Sequence, residues 1–273
     1  MFSSTPPVVK NLLIINILVF LAANILPSTL HIPLDNYLAL YYWESNHFQP
    51  YQLVTHFFTH TYFFHLFFNM FALWMFGRIL ETVWGGKEFL MYYFITALSG
   101  ALIYLGYQTW IYSEMWNLIA QFHNTPSIEL FEQFLDKYAP LKIINPEAAA
   151  QIQSMLTDWA KNPAQFSGQN DLYEFMQMYY HYRIDTPMIG ASGAVFGILL
   201  AFGWLFPNTE LMLLIPPIPL KAKYFVIIYG AIELYAGINY NPGDNVAHFA
   251  HIGGMLGGFV YLYIRKKFKG TLY

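Results

Sequence analysis

Ser192 stands between small residues, in Gly190-Ala191-Ser192-Gly193. A serine hydroxyl attacks a carbonyl only when a neighbouring base takes its proton, and an imidazole is the usual base. Two histidines near the end of the chain, His248 and His251, qualify, and periodicity alone does not choose between them. His65 and Asn69 lie four residues apart, hence on one face of a helix. Together with the Ser192 backbone N–H they are donors suited to an oxyanion, so the chemistry the set supports is acyl transfer. Gly190 and Gly193 leave room for a substrate backbone to approach the serine. Behind His251 runs Gly253-Gly254-Met255-Leu256-Gly257-Gly258, whose Gly254-x-x-x-Gly258 spacing makes a smooth groove for a second helix and would hold His251 against Ser192. Singly, a serine between glycines or a histidine in an apolar helix is more often a packing residue. The convergence of these types is what points to a site.

The elements that position them are membrane helices. Of 273 residues, 56% are apolar, 20% aromatic and 11% charged, with a mean hydropathy of +0.37; an average soluble domain is about a quarter charged. Too little charged surface remains to coat a globule, so part of the solvent must be lipid. A net charge of −3 without a long basic run excludes nucleic acid as partner. The absence of cysteine excludes disulfides, thiolate metal sites and a Cys nucleophile, and neither a metal nor a cofactor is expected.

Six stretches are apolar enough to cross a bilayer: Leu12–Leu26, Tyr62–Leu80, Phe89–Leu105, Ile189–Phe206, Tyr224–Ile238 and Val246–Ile264. The expected fold is an all-α polytopic membrane protein. A cleaved signal is the less favoured reading of the first stretch, because only Lys10 precedes it and no small-x-small site follows. With the N-terminus inside, Lys10, Arg78, Lys87, Lys221, Lys223, Arg265, Lys266, Lys267 and Lys269 fall on the inner side, nine of the thirteen basic residues. Both termini are therefore expected in the cytoplasm. Spans two, four and six then run from outside to inside, and their functional residues share one depth: Ser192 and His251 lie about 5–8 Å below the outer mouth at 1.5 Å of rise per residue.

Three regions follow. Residues 1–105 hold helices one to three with a first outer loop, 27–61. Residues 106–187 form an extracytoplasmic insert of amphipathic helices such as Ile128–Tyr138 and Pro146–Trp159, with nine acidic residues against Lys137, Lys142, Lys161 and Arg183. Residues 188–273 hold helices four to six and a basic tail. Glu233 stands alone in span five, roughly 15 Å from its inner end, where a lone carboxyl is expected to be neutral or bonded to a neighbouring helix.

His65-Leu66-Phe67-Phe68-Asn69, Gly190-Ala191-Ser192-Gly193 and Ala247-His248-Phe249-Ala250-His251-Ile252-Gly253-Gly254, in this order and on these spans, resemble the HxxxN, GxSG and AHxxG motifs of the rhomboid intramembrane serine proteases. The resemblance implies a six-helix core, a Ser192–His251 dyad with no acidic third member, and an oxyanion hole that includes His65 and Asn69. It also selects His251 over His248. It implies an integral protein of a bacterial-type inner membrane that cuts single-pass transmembrane substrates near the outer face. Two positions depart from the pattern. Phe196 stands where the family often has a tyrosine stacked on the imidazole, and Tyr51-Gln52 where many members have Trp-Arg.

Rival chemistries find less support. No histidine is followed by Glu, as a His-Glu-x-x-His zinc protease requires, and Asp35 and Asp244 fall in outer loops, away from an aspartyl intramembrane site. His56, His60, His65, His248 and His251 suit a metal permease on residue type alone. A rhomboid-like fold that binds membrane proteins without cutting them is the main alternative, and such a protein would be expected to lack Ser192 or His251.

Overall fold

The structure, a computed structural model, describes residues 5–212, 218–244 and 246–269. Residues 270–273 of the expected basic tail lie outside the described residues. Helix α1 (Pro7–Leu30) is apolar around most of its circumference and leaves Leu18, Leu21 and Ile25 exposed, as a lipid-facing helix does. Its first turn is capped from another helix: the buried Glu81 carboxylate accepts from the backbone N–H groups of Val8 (2.9 Å) and Val9 (2.7 Å).

The loop between α1 and the next long helix carries two short helices, α2 (Leu34–Leu38) and α3 (Gln52–Thr55). Gln52 is buried and ties the loop together, donating to the Tyr37 and His47 carbonyls while accepting from the Gln49 N–H. An antiparallel bridge between Leu40 and Met188 joins this loop to the strand-like approach to Ser192. Helix α4 (Phe63–Ala72) passes through a π turn, Leu73–Gly77, into α5 (Arg78–Trp84).

Helix α6 (Gly86–Asn124) is 39 residues long. The span expected to end near Leu105 continues as helix through Gly106 without a break, so the change from apolar to polar sequence falls inside one helix. Helices α7 (Ile128–Lys137), α8 (Pro146–Lys161) and α9 (Gln169–Ile184) pack on its C-terminal half. Ser127 caps α7 and Asn145 caps α8, each accepting a first-turn N–H. Phe122, Phe131, Phe134, Trp159 and Met176 form their shared core, which extends to Leu40 and Ala250.

Helix α10 (Ser192–Leu205) is short, apolar and almost wholly buried. A two-stranded hairpin follows, β1 (Glu210–Met212) and β2 (Pro219–Lys221), antiparallel with Leu211 opposite Leu220. Among the described residues this short ladder is the one sheet in a helical fold, and it pairs backbone groups of the segment between α10 and α11. Helices α11 (Ala222–Ile238) and α12 (His248–Lys269) complete the chain. Among the described residues, three helical segments are long and apolar enough to cross a membrane by length and composition, Pro7–Leu30, Phe63–Trp84 and Gly86–Asn124.

Glycines bring α6, α10 and α12 backbone to backbone. A Cβ on Gly254 would overlap the Gly193 carbonyl, one on Gly100 would come 2.6 Å from the Ala250 oxygen, and one on Gly253 would come 2.9 Å from the Gly100 Cα. Gly258 faces the ring of Tyr92, whose hydroxyl donates to the Gly197 carbonyl at 2.6 Å.

Candidate active site

Ser192 opens α10, and its neighbours are shaped to put it there. Gly190 has φ +115°, which L side chains rarely adopt, and a Cβ on it would come 2.7 Å from the Cε1 and Nε2 atoms of His65. The turn is held from the first loop: the Gly190 N–H donates to the His56 carbonyl at 2.9 Å, and the Ala191 N–H points at His60 Nε2, 3.5 Å away. Burial pushes His56 down to about 4 and His60 to about 3, the latter helped by the charge of nearby His65, so both are neutral supports at ordinary pH. As a first-turn residue, Ser192 presents a backbone N–H with no partner inside its own helix.

On α12, one turn above the Gly254 contact, His251 meets the serine. The Ser192 hydroxyl donates to His251 Nε2 at 2.8 Å. Phe196, one helical turn beyond Ser192, lies flat against the imidazole with ring centroids 4.2 Å apart and an interplanar angle of 9°. The phenyl ring therefore fills the place of the tyrosine that the resemblance leads one to expect, without its hydroxyl. His248 lies one turn away from His251 and does not touch the serine.

The other nitrogen of His251 corrects the expectation of a pair without an acid. Nδ1 is 2.7 Å from Glu233 Oε2 on α11, and the same oxygen is 2.7 Å from His248 Nδ1. His248 Nε2 in turn lies 3.1 Å from Asp244 Oδ2. Glu233 is thus not alone in its span. Nothing local in the sequence marks this contact, since α11 and α12 are separate helices and only their packing brings positions 233, 248 and 251 together; the available signal was an acid in an apolar stretch facing two histidines of the next span.

Glu233, His248 and His251 are also the one carboxylate–imidazole trio among the described residues whose ligand atoms come within 4.8 Å of one another. Two ligand atoms on a tetrahedral zinc, each about 2.0–2.2 Å from the metal, stand roughly 3.3 Å apart. The 2.7 Å separations here are those of hydrogen bonds.

His65 and Asn69 lie across from the serine on α4. The Asn69 amide donates to the His65 carbonyl at 2.9 Å, four residues back along its own helix, which leaves its second N–H for another acceptor. His65 rests edge-on against His60 with ring centroids 4.9 Å apart. His65, Asn69, Ser192 and Phe196 all line a groove of about 830 Å³, otherwise apolar, whose walls are α4 with the π turn on one side and Phe225 and Tyr229 of α11 on the other. The groove can admit an extended apolar chain from the side and bring a carbonyl to the serine.

A family model described as the Rhomboid domain matches residues 47–112 and 170–268. The unmatched stretch between them holds the end of α6 with α7 and α8. The mitochondrial Rhomboid protein 1 of Saccharomyces cerevisiae is 26% identical over 204 residues, a match that covers 75% of this chain and 38% of that protein. With the Rhomboid match extending over more than half of the sequence and including Ser192, His251, His65 and Asn69, this chain belongs to the rhomboid family.

Proposed function

We propose that the chain is an intramembrane serine endopeptidase that cuts single-pass transmembrane helices of other proteins near the outer face of the membrane. The observation that carries this reading is the 2.8 Å contact between the Ser192 hydroxyl and His251 Nε2 at the floor of a groove with apolar walls. The family, whose members are generally serine proteases of the bilayer, supports it, as does the retention of both residues, which a non-cutting binder has no reason to keep.

His251 accepts the Ser192 proton at Nε2 while Oγ attacks the scissile carbonyl, then returns it to the departing amine; water repeats the cycle on the acyl-enzyme. The Ser192 N–H, His65 and Asn69 donate to the oxyanion. Gly190 and Gly193 admit the substrate backbone, Phe196 holds the imidazole in plane, and Gly254 and Gly258 fix the distance between α12 and its neighbours. A scissile carbonyl tied into an intact helix cannot reach Ser192, so the substrate must unwind, and Gly or Pro in its upper span should favour cleavage.

On this reading six helical segments lie in the bilayer: α1, α4 with α5, the inner part of α6, α10, α11 and α12. Both termini face the cytoplasm in a bacterial-type membrane, and α7, α8 and α9 form an outer cap. The short α10 suits a helix surrounded by others, which need not span the full hydrocarbon thickness. A fluorophosphonate probe tests the nucleophile: wild-type protein should label at Ser192, and the Ser192→Ala and His251→Ala variants should not. Equal labelling of Ser192→Ala would remove the proposed nucleophile.

A further inference from the structure

Resting on the proteolytic reading, we propose that Glu233 is a positioning residue of the catalytic unit: its carboxylate fixes the orientation of His251 and balances the charge that forms there, and it is itself held by His248 and Asp244.

A chain of contacts runs from the outer loop to the serine. Asp244 Oδ2 lies 3.1 Å from His248 Nε2; His248 Nδ1 lies 2.7 Å from Glu233 Oε2; the same oxygen lies 2.7 Å from His251 Nδ1; and His251 Nε2 lies 2.8 Å from Ser192 Oγ. Each step constrains protons. A carboxylate oxygen only accepts, so His251 donates from Nδ1 and leaves Nε2 free to take the serine proton, the tautomer a general base needs. His248 faces carboxylate oxygens at both nitrogens and satisfies both only by donating from both, as an imidazolium. Glu233 is then a buried anion paired with one fixed cation, which offsets the penalty of placing a lone charge in an apolar bundle.

The same pairing suits the reaction. When His251 takes the serine proton it becomes a second cation against the same oxygen, and the attraction between them opposes its escape in the transition state. Glu233 and His251 each leave only 10% of the side chain accessible, so water screens this attraction little. Asp244 lies at the rim with 37% of its side chain accessible, and its Oδ1 accepts from the Val246 N–H at 2.9 Å, which anchors the outer end of the relay to the loop that leads into α12. A purely structural role, a strut between α11 and α12, would ask only for a hydrogen-bond acceptor of the right length.

Glu233→Gln separates the two, since the amide keeps length and an acceptor but removes the charge. In proteoliposomes containing a single-pass substrate, the variant should unfold at the wild-type temperature, keep KM within about twofold and lose kcat by about 10²- to 10⁴-fold, the range for a disabled general base or its orienting acid. Nitrogen NMR of ¹⁵N-histidine protein should show His251 protonated at Nδ1 in the wild type and that population reduced in Glu233→Gln. Asp244→Asn, at the rim and no threat to folding, should lower kcat about two- to fivefold, the worth of a partly exposed ion pair. A folded Glu233→Gln protein with kcat within twofold of wild type and an unchanged His251 spectrum would overturn the proposal and leave a strut. That result leaves the proteolytic reading standing as long as Ser192→Ala is inert. Wild-type protein that neither cleaves nor takes up a fluorophosphonate, with His251 still protonated at Nδ1, would overturn the proteolytic reading and the catalytic part of this proposal with it.

Discussion

Replacing Gly190 by Ala should damage stability and catalysis through two separable causes. Its φ of +115° is open to glycine and strained for any other residue, at a cost of about 1–3 kcal/mol. The added Cβ would also stand 2.7 Å from two atoms of the His65 ring, so that ring must retreat by about 0.7 Å to regain ordinary van der Waals contact. A displacement of about 1 Å in a catalytic constellation lowers turnover on the order of 10²-fold, and a shift somewhat smaller than that should lower kcat roughly ten- to a hundredfold. Thermal unfolding in detergent and initial cleavage rates in proteoliposomes read the two effects. A His65→Ala background removes the ring and relieves the collision but not the backbone strain, so the double variant should recover only part of the stability lost. A Gly190→Ala protein that unfolds and cleaves like wild type would refute this, as would a full loss of stability that persists when the His65 ring is removed.

Phe196→Leu keeps bulk but removes the aromatic face under the imidazole; kcat should fall about two- to thirtyfold, the worth of about 0.5–2 kcal/mol of cation–π attraction, with Tm nearly unchanged, and Phe196→Tyr should retain activity. Burial holds His56 and His60 below their unfolded value near 6.5, so the stability gained by keeping them neutral is fully present above that pH and is lost as pH falls toward 4. His56 alone should remove about 3 kcal/mol by pH 4, and a melting temperature flat between pH 7.5 and 4.5 would contradict this. Glu81→Gln leaves one acceptor where the carboxylate had two, so one N–H in the first turn of α1 loses its partner; unfolding measurements should show a loss of about 1–3 kcal/mol.

Unbroken apolar runs made the long helices legible, because a bilayer demands about 20 apolar residues in a row and that demand is written locally. The short helix α10 was legible through its motif, Gly190 to Gly193, more than through its 14 residues of length. What the sequence does not display are contacts between elements. The 39-residue α6 hides the edge of the insert, since helix propensity does not change where polarity does. The β1–β2 pairing lies in a stretch too short for alternation to register. At the site, Ser192, His65, Asn69 and a histidine of the last span were legible in type and spacing, the choice of His251 over His248 came only with the family resemblance, and the close approach of α12 was legible at Gly254. The meeting of Glu233 with both His248 and His251 was not, because the positions come together only across the packed face of α11 and α12. The supports at His56 and His60 are likewise contacts of a loop with a distant turn.

The most direct measurement of the central claim is cleavage of a single-pass transmembrane substrate in a reconstituted bilayer by wild-type protein and Ser192→Ala side by side. Serine-dependent intramembrane proteolysis predicts product only with wild type, from scission near the outer end of the substrate helix. Equal cleavage by Ser192→Ala, or no cleavage by wild-type protein across substrates with helix-breaking residues in the upper span, would contradict it.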